Sequence, residues 1–256
     1  YYKLYMSRNR KSKKLSEEEL LEVESFVYQK NAEENKFLTS MFVNIKCKNE
    51  NQKKLINSIK ENEITIVSGL PGTGKTFLAC AEALKLIKTR AKYKKILLVK
   101  SVTQLQGEDI GFLPGDLKEK LDPYMISFLD NFEKIIGESM TGKLRDLGII
   151  SIQPLAFVRG RSIDNTIIIV DEAQNISVSN MRTLMTRIGD NSKMVILGDV
   201  KQKDIRKKSD SSLEVIIDKF KEVEGFGCVE LRNPDDVVRN PIIKIIEQTF
   251  DDIEGV

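Results

Sequence analysis

The sequence predicts an α/β fold, a mainly parallel sheet covered on both faces by helices. Three observations predict it. Short runs such as ITIVS (64–68), ILLVK (96–100) and IIIV (167–170) are dominated by β-branched and other apolar residues, as strands buried on both faces are. Stretches with helical periodicity separate these runs, which is the alternation of a sheet built from βαβ units. A glycine-rich turn, GLPGTGKT (Gly69 to Thr76), joins the first run to a helix, the arrangement of a P-loop.

Taken in order, Ser16 and Glu19 make a capping-box pattern, and a helix is expected over 16–30. Residues 31–50 are polar and irregular, with FLTSMFVNI (37–45) read as a strand or docking segment. A short helix is expected over 51–60, a strand over 64–68, and a helix over 75–90 whose alanines and leucines recur at helical spacing. Strands follow at 96–100, 149–153, 166–172, 193–199 and 226–231. Between and after them, GFLPGDLKEK (111–120) reads as a turn entering a helix, with helices at 122–136, 180–189, 211–222 and 240–250.

Composition narrows the chemistry. There is no histidine, so histidine bases, Ser-His triads and histidine-ligated metals are excluded, and any general base must be a carboxylate or lysine. Three scattered cysteines read as reduced small hydrophobes. The first residues lack the apolar stretch of a signal peptide, so a cytoplasmic location is expected, and Tyr1 in place of Met suggests a trimmed start. The net charge of +3 neither demands nor forbids nucleic acid. Lys3, Arg8, Arg10, Lys11, Lys13 and Lys14 form either a solvated end or an arm that touches phosphates.

Three motifs carry chemistry. In the first, Gly69, Gly72 and Gly74 allow several backbone N–H groups to aim at one phosphate, at the positive end of a helix. Gly69, Leu70, Pro71, Gly72, Thr73, Gly74, Lys75, Thr76 and Phe77 are the expected nucleotide contacts. Lys75 would reach the β- and γ-phosphates, and Thr76 would offer its hydroxyl to Mg2+. In the second, IIIVDEAQN (167–175), a buried strand delivers Asp171 as a magnesium ligand through water and Glu172 as general base. The adjacent carboxylates indicate hydrolysis rather than transfer of a phosphoryl group to a metabolite. In the third, LGDVKQ (197–202), another strand ends at Asp199 and Gln202 lies three residues beyond, where a glutamine can touch both the γ-phosphate and the attacking water.

Beyond these, the run ILLVKSVTQLQGEDIGFLPGDLKEKLDPY, with PLAFVRGRSI, IIIVDEAQN, LMTRIGDNSKMVILGD and DVVRNPIIKII, is similar to the PhoH family of ATPases over about residues 44–250. PhoH proteins resemble the first motor domain of superfamily 1 helicases. The resemblance implies a single RecA-like P-loop NTPase domain at 44–256, preceded by a basic arm and helical extension at 1–43. It implies ATP, since Gln52, seventeen residues before Gly69, sits where those motors read the adenine edge. It assigns Asp199 and Gln202 to the third helicase motif, Arg239 to a cis arginine at the γ-phosphate, and Arg159 and Arg161 as further arginine candidates. The chain departs from the family at QKDIRKKSDSSL, at Lys100-Ser101 and at Leu70-Pro71.

The expected function is Mg-dependent ATP hydrolysis coupled to binding or translocation on RNA or single-stranded DNA. Two alternatives stay open: a nucleotide-switched binding module without motor activity, and a P-loop kinase of a small metabolite. A homo-oligomer, most simply a ring such as a hexamer, is expected. The residues after the last strand are too few for a second motor domain, so a neighbouring subunit would close the site and supply an arginine in trans. Arg159 and Arg161 are the candidates for that arginine, against the plainer reading that they pair with surface carboxylates.

Overall fold

The computed structural model of the protein describes residues 35–89, 91–100, 117–158, 160, 162–200 and 212–238, with 242, 245, 246, 249 and 250 beyond them. The chain divides into two compact units, Tyr1–Met41 and Phe42–Val256. The helix expected over 16–30, the basic residues near the start and most of the turn at 111–120 lie outside the described residues.

Residues 35–40 are helical and 41–47 irregular, so of the two readings of 37–45, strand or docking segment, the strand does not form. The helical segment's hydroxyls bond back to helix carbonyls. Thr39 donates to the carbonyls of Asn35 at 2.9 Å and Lys36 at 2.8 Å, and Ser40 to that of Phe37 at 2.7 Å. Such bonds engage helix carbonyls that a strand would pair with a neighbour.

The second unit runs α1 (Glu50–Glu61), β1 (Ile64–Gly69), α2 (Lys75–Thr89), β2 (Lys95–Lys100), α3 (Leu117–Ile136), α4 (Glu138–Asp146), β3 (Ile150–Pro154), β4 (Thr166–Asp171), α5 (Val178–Met185), β5 (Lys193–Gly198), α6 (Ser212–Phe220) and β6 (Phe226–Leu231). All six expected strands form one sheet, in the order β3-β2-β4-β5-β1-β6, with every pairing parallel. β1 and β5 are buried along their whole length and β4 up to Asp171, whereas the edge strands β3 and β6 are partly exposed.

Alternate strand residues feed two cores. On one face Ile66, Val99, Ile168, Val170 and Ile196 pack with Met181 and Leu184 of α5 and with Leu213 and Ile216 of α6. Fully burying each such side chain is worth about 1.5–3 kcal/mol. Against the sheet also lie α1, on β6 and β1, and α2, on β4, β2 and β5. From Leu78 to Leu84 every residue of α2 is buried, and Ala79, Ala81 and Ala83 let the helix approach closely.

Two helices differ from expectation. α5 starts at Val178, because the Ser177 hydroxyl caps it by accepting from the Asn180 N–H at 3.3 Å. It stops at Met185, since Ile188 turns to bridge Ile163. α4 is an element the sequence did not suggest, set off from α3 by Gly137 at φ 84°.

Because all strands run the same way, their carboxyl ends form one edge. Lys100 stands opposite Asp171 there, Ser68 opposite Gly198, and Gly69 opposite Leu231. Open α/β sheets bind ligands at this edge.

Candidate nucleotide site

The glycine loop leaves β1 under tight steric constraint. A Cβ on Gly69 would lie 2.7 Å from Leu231 Cβ and 2.9 Å from its carbonyl oxygen, so only glycine fits beside β6. Gly72 and Gly74 have φ of 78° and 83°, the left-handed region. The loop is tied on several sides. Leu70 donates its N–H to Leu231 O at 2.9 Å, the Thr73 hydroxyl to Leu70 O at 2.9 Å, and the Val238 N–H to Gly72 O at 3.1 Å. Lys75, at the start of α2, folds back with Nζ on the carbonyl oxygens of Gly69 at 2.6 Å and Leu70 at 3.0 Å. Leu70, Pro71, Gly72, Gly74, Lys75, Thr76 and Phe77 are all partly exposed, while Thr73 is buried.

Gln52, on α1, is buried and engaged at both ends of its amide. Its Nε2 donates to Thr73 O at 3.0 Å and its Oε1 accepts from the Lys48 N–H at 2.7 Å. In this structure it supports the loop. Each amide end keeps one further hydrogen-bonding position.

The acidic pair meets this loop. Thr76 Oγ1 donates to Asp171 Oδ2 at 3.2 Å, across ninety-five positions of sequence. Asp171 Oδ1 accepts from the Glu172 N–H at 3.1 Å. Burial, reinforced by the Glu172 charge, pushes the Asp171 carboxyl up to about 6, against the opposing pull of that N–H, Lys100 and the Thr76 hydroxyl. Beyond β4, Glu172 has φ 56° and ψ 40°, a left-handed backbone that glycine favours. Its Oε2 accepts from Gln174 Nε2 at 2.7 Å. Asp199, just past β5, is buried and donates its N–H to Gln174 Oε1 at 3.0 Å.

A hydroxyl and a carboxylate side by side are the hard oxygen donors that Mg2+ takes, and a desolvated carboxylate with a raised pKa gains from a nearby cation. Among the described residues no cluster of three or more His, Cys, Asp or Glu could form an all-protein metal cage.

The structure thus brings Gln52, the glycine loop, Asp171, Glu172 and Asp199 to one edge. Gln202, Arg159, Arg161 and Arg239 lie outside the described residues. Two residues at the site escaped the sequence reading. Gln174 is 1 % exposed between the two acidic strand ends, and its signal was its place in DEAQN. Asp236, also buried, accepts from Asn51 Nδ2 at 3.0 and 3.1 Å and from the Asn233 N–H at 3.0 Å, pinning the chain after β6 to α1. Its place within Pro-Asp-Asp reads as any acidic turn.

Comparison with known proteins agrees on the family. The family described as PhoH-like protein matches residues 44–251. A PhoH-like protein of Bacillus subtilis (strain 168) is 40% identical over 207 residues, covering 81% of this chain and 64% of the relative. One from Synechocystis is 35% identical over 211 residues, covering 82% and 63%. The chain therefore spans somewhat under two thirds of the length of these relatives. Among solved structures, the large terminase from a thermophilic bacteriophage aligns with a TM-score of 0.46 at 10% identity, covering 78% of this chain and 49% of that one.

Proposed function

The chain belongs to the PhoH-like protein family, and from that premise we propose that it hydrolyses ATP with Mg2+, coupled to binding or translocation on RNA or single-stranded DNA. One observation carries the reading: the Thr76–Asp171 hydrogen bond joins a phosphate-binding loop to an adjacent pair of carboxylates at the carboxyl edge of a parallel sheet. That pair, Asp171 and Glu172, favours water over a metabolite as the attacking group.

In this reading the backbone N–H groups of Gly72 to Thr76 and the amino end of α2 hold the phosphates. Lys75 Nζ exchanges the Gly69 and Leu70 carbonyls for phosphate oxygens. Thr76 and Asp171 would hold Mg2+, which supplies charge neutralisation at the phosphates. Glu172 orients the attacking water and takes its proton. Asp199, with Gln202, Arg239 and an arginine from Arg159 or Arg161 of a neighbouring copy, completes the site. These roles, like the domain division at 43/44 and the nucleic-acid partner, rest on the family resemblance, and the homo-oligomeric ring on the need for an arginine in trans.

The test is steady-state phosphate release by the whole chain, with and without RNA and single-stranded DNA. Release that nucleic acid stimulates supports the full reading. Binding of ATP with neither release nor stimulation favours a nucleotide-switched module. No ATP binding sinks both. Light scattering with an ATP analogue should show a mass several times 29.1 kDa, and a fully active dilute monomer would remove the ring.

A further inference from the structure

Glu172 stands where neither strand nor helix fixes its side chain. β4 has ended, and the left-handed backbone at φ 56° takes the residue out of the pleat that aims its neighbours. A base must nevertheless be held within hydrogen-bonding reach of a water to work. Something other than regular backbone has to orient this carboxylate.

One side chain does so. Gln174 donates from Nε2 to Glu172 Oε2 at 2.7 Å and accepts at Oε1 from the Asp199 N–H at 3.0 Å. A single buried amide thus joins the turn after β4 to the turn after β5. The packing accommodates it closely: a Cβ on Gly198 would fall 2.7 Å from Gln174 Oε1 and 3.1 Å from its backbone N. The task is specific to an amide of this length. Glutamate could accept from Asp199 but would present a second carboxylate to Glu172, and leucine could do neither. Donation to Oε2 ties the carboxylate to the buried amide and leaves Oε1 for the water.

We propose that Gln174 is the positioning residue of this site, holding the Glu172 carboxylate in its working orientation by tethering it to the backbone of Asp199. The proposal rests on the ATPase reading above and names a residue whose effect on turnover passes through Glu172.

The experiment compares wild type, Gln174→Leu, Gln174→Glu and Gly198→Ala for phosphate release, and for affinity toward a fluorescent ATP analogue. Each variant should lose about 10- to 100-fold in kcat, the scale of a misplaced catalytic group, with analogue affinity within about twofold of wild type. Gln174→Glu guards against a folding artefact, because it keeps the shape and the Asp199 bond while removing the donor to Glu172. Gln174→Leu is then placed in a Glu172→Gln background, where it should change the residual rate by less than about twofold. Equal losses in both backgrounds, unchanged kcat in Gln174→Glu, or a parallel collapse of analogue binding each overturn the proposal. If wild type releases no phosphate, or Lys75→Ala releases it at the wild-type rate, the ATPase reading itself falls and this role with it.

Discussion

The two halves of the site are built by different means. The proposed phosphate side, from Gly69 to Thr76, is framed by backbone: positive φ at Gly72 and Gly74, and main-chain bonds from Leu70 and Val238. The proposed water side, at the ends of β4 and β5, is made of side chains: Asp171 bonded to Thr76, and Glu172 bonded to Gln174. A backbone cradle tolerates changes around it so long as the glycines stay. A side-chain constellation depends on each partner in turn. Losing the Lys75 charge should therefore affect binding and turnover together, and losing the Glu172 charge turnover alone.

The largest effect should come from the loop's own lysine. Lys75→Ala is expected to abolish phosphate release, since the lost charge-assisted contact costs roughly 3 kcal/mol or more. Undiminished turnover, with contaminants excluded, would remove the nucleotide assignment. On the water side, Glu172→Gln should bind ATP normally and turn it over about 10²–10⁴-fold more slowly. Loss of binding in that variant would erase the contrast and make Glu172 structural or a metal ligand.

How legible each side was follows from the same difference. Glycine spacing and an apolar strand are patterns along the chain, so the loop, the six strands and the acidic pair could be read directly. The parallel sheet followed because β1, β4 and β5 are apolar on both faces. Gln174 was not legible as a tether, because its partner Asp199 is twenty-five residues away and reached only through strand pairing. Gln52 was read for a base edge by resemblance, and its bonds to Thr73 and Lys48 had no sequence signal. Helix α4 was missed for a simpler reason: ESMTGKLRD carries a glycine and buries only Thr141 and Leu144, too little for a periodic stripe.

A steric change sharpens the contrast from the phosphate side. Gly69→Ala places a methyl group against Leu231 Cβ and its carbonyl at 2.7 and 2.9 Å, and backbone cannot step aside as a flexible side chain can. Overpacking of this kind costs about 1–3 kcal/mol. The melting temperature should fall and ATP-analogue affinity with it, as β6 is pushed from the loop. A variant that melts like wild type would show that the β1–β6 edge yields.

The smallest expected effect concerns the water side without its cation. The Asp171 carboxyl is raised from an ordinary 3.8 to about 6 by burial and by Glu172. A raised carboxyl pKa means the folded chain holds this proton more tightly than the unfolded one. As pH climbs from about 4 to about 6 the unfolded state ionises first, so Asp171 progressively destabilises the fold, and the penalty stays in full above that window. Asp171→Asn removes the charge while keeping an acceptor for the Glu172 N–H. In magnesium-free buffer it should melt higher than wild type near neutral pH, by about 1–2 kcal/mol once solvent relaxation is allowed for. The advantage should vanish below about pH 4, where wild-type Asp171 is protonated in both states. Adding Mg2+ and ATP should reverse the order, because the wild-type carboxylate then has a cation to meet. Melting curves across this pH range, with and without Mg-ATP, check both arms. A stability difference that does not change with pH would mean that Asp171 ionises freely in the fold, and that its site is far wetter than its burial indicates.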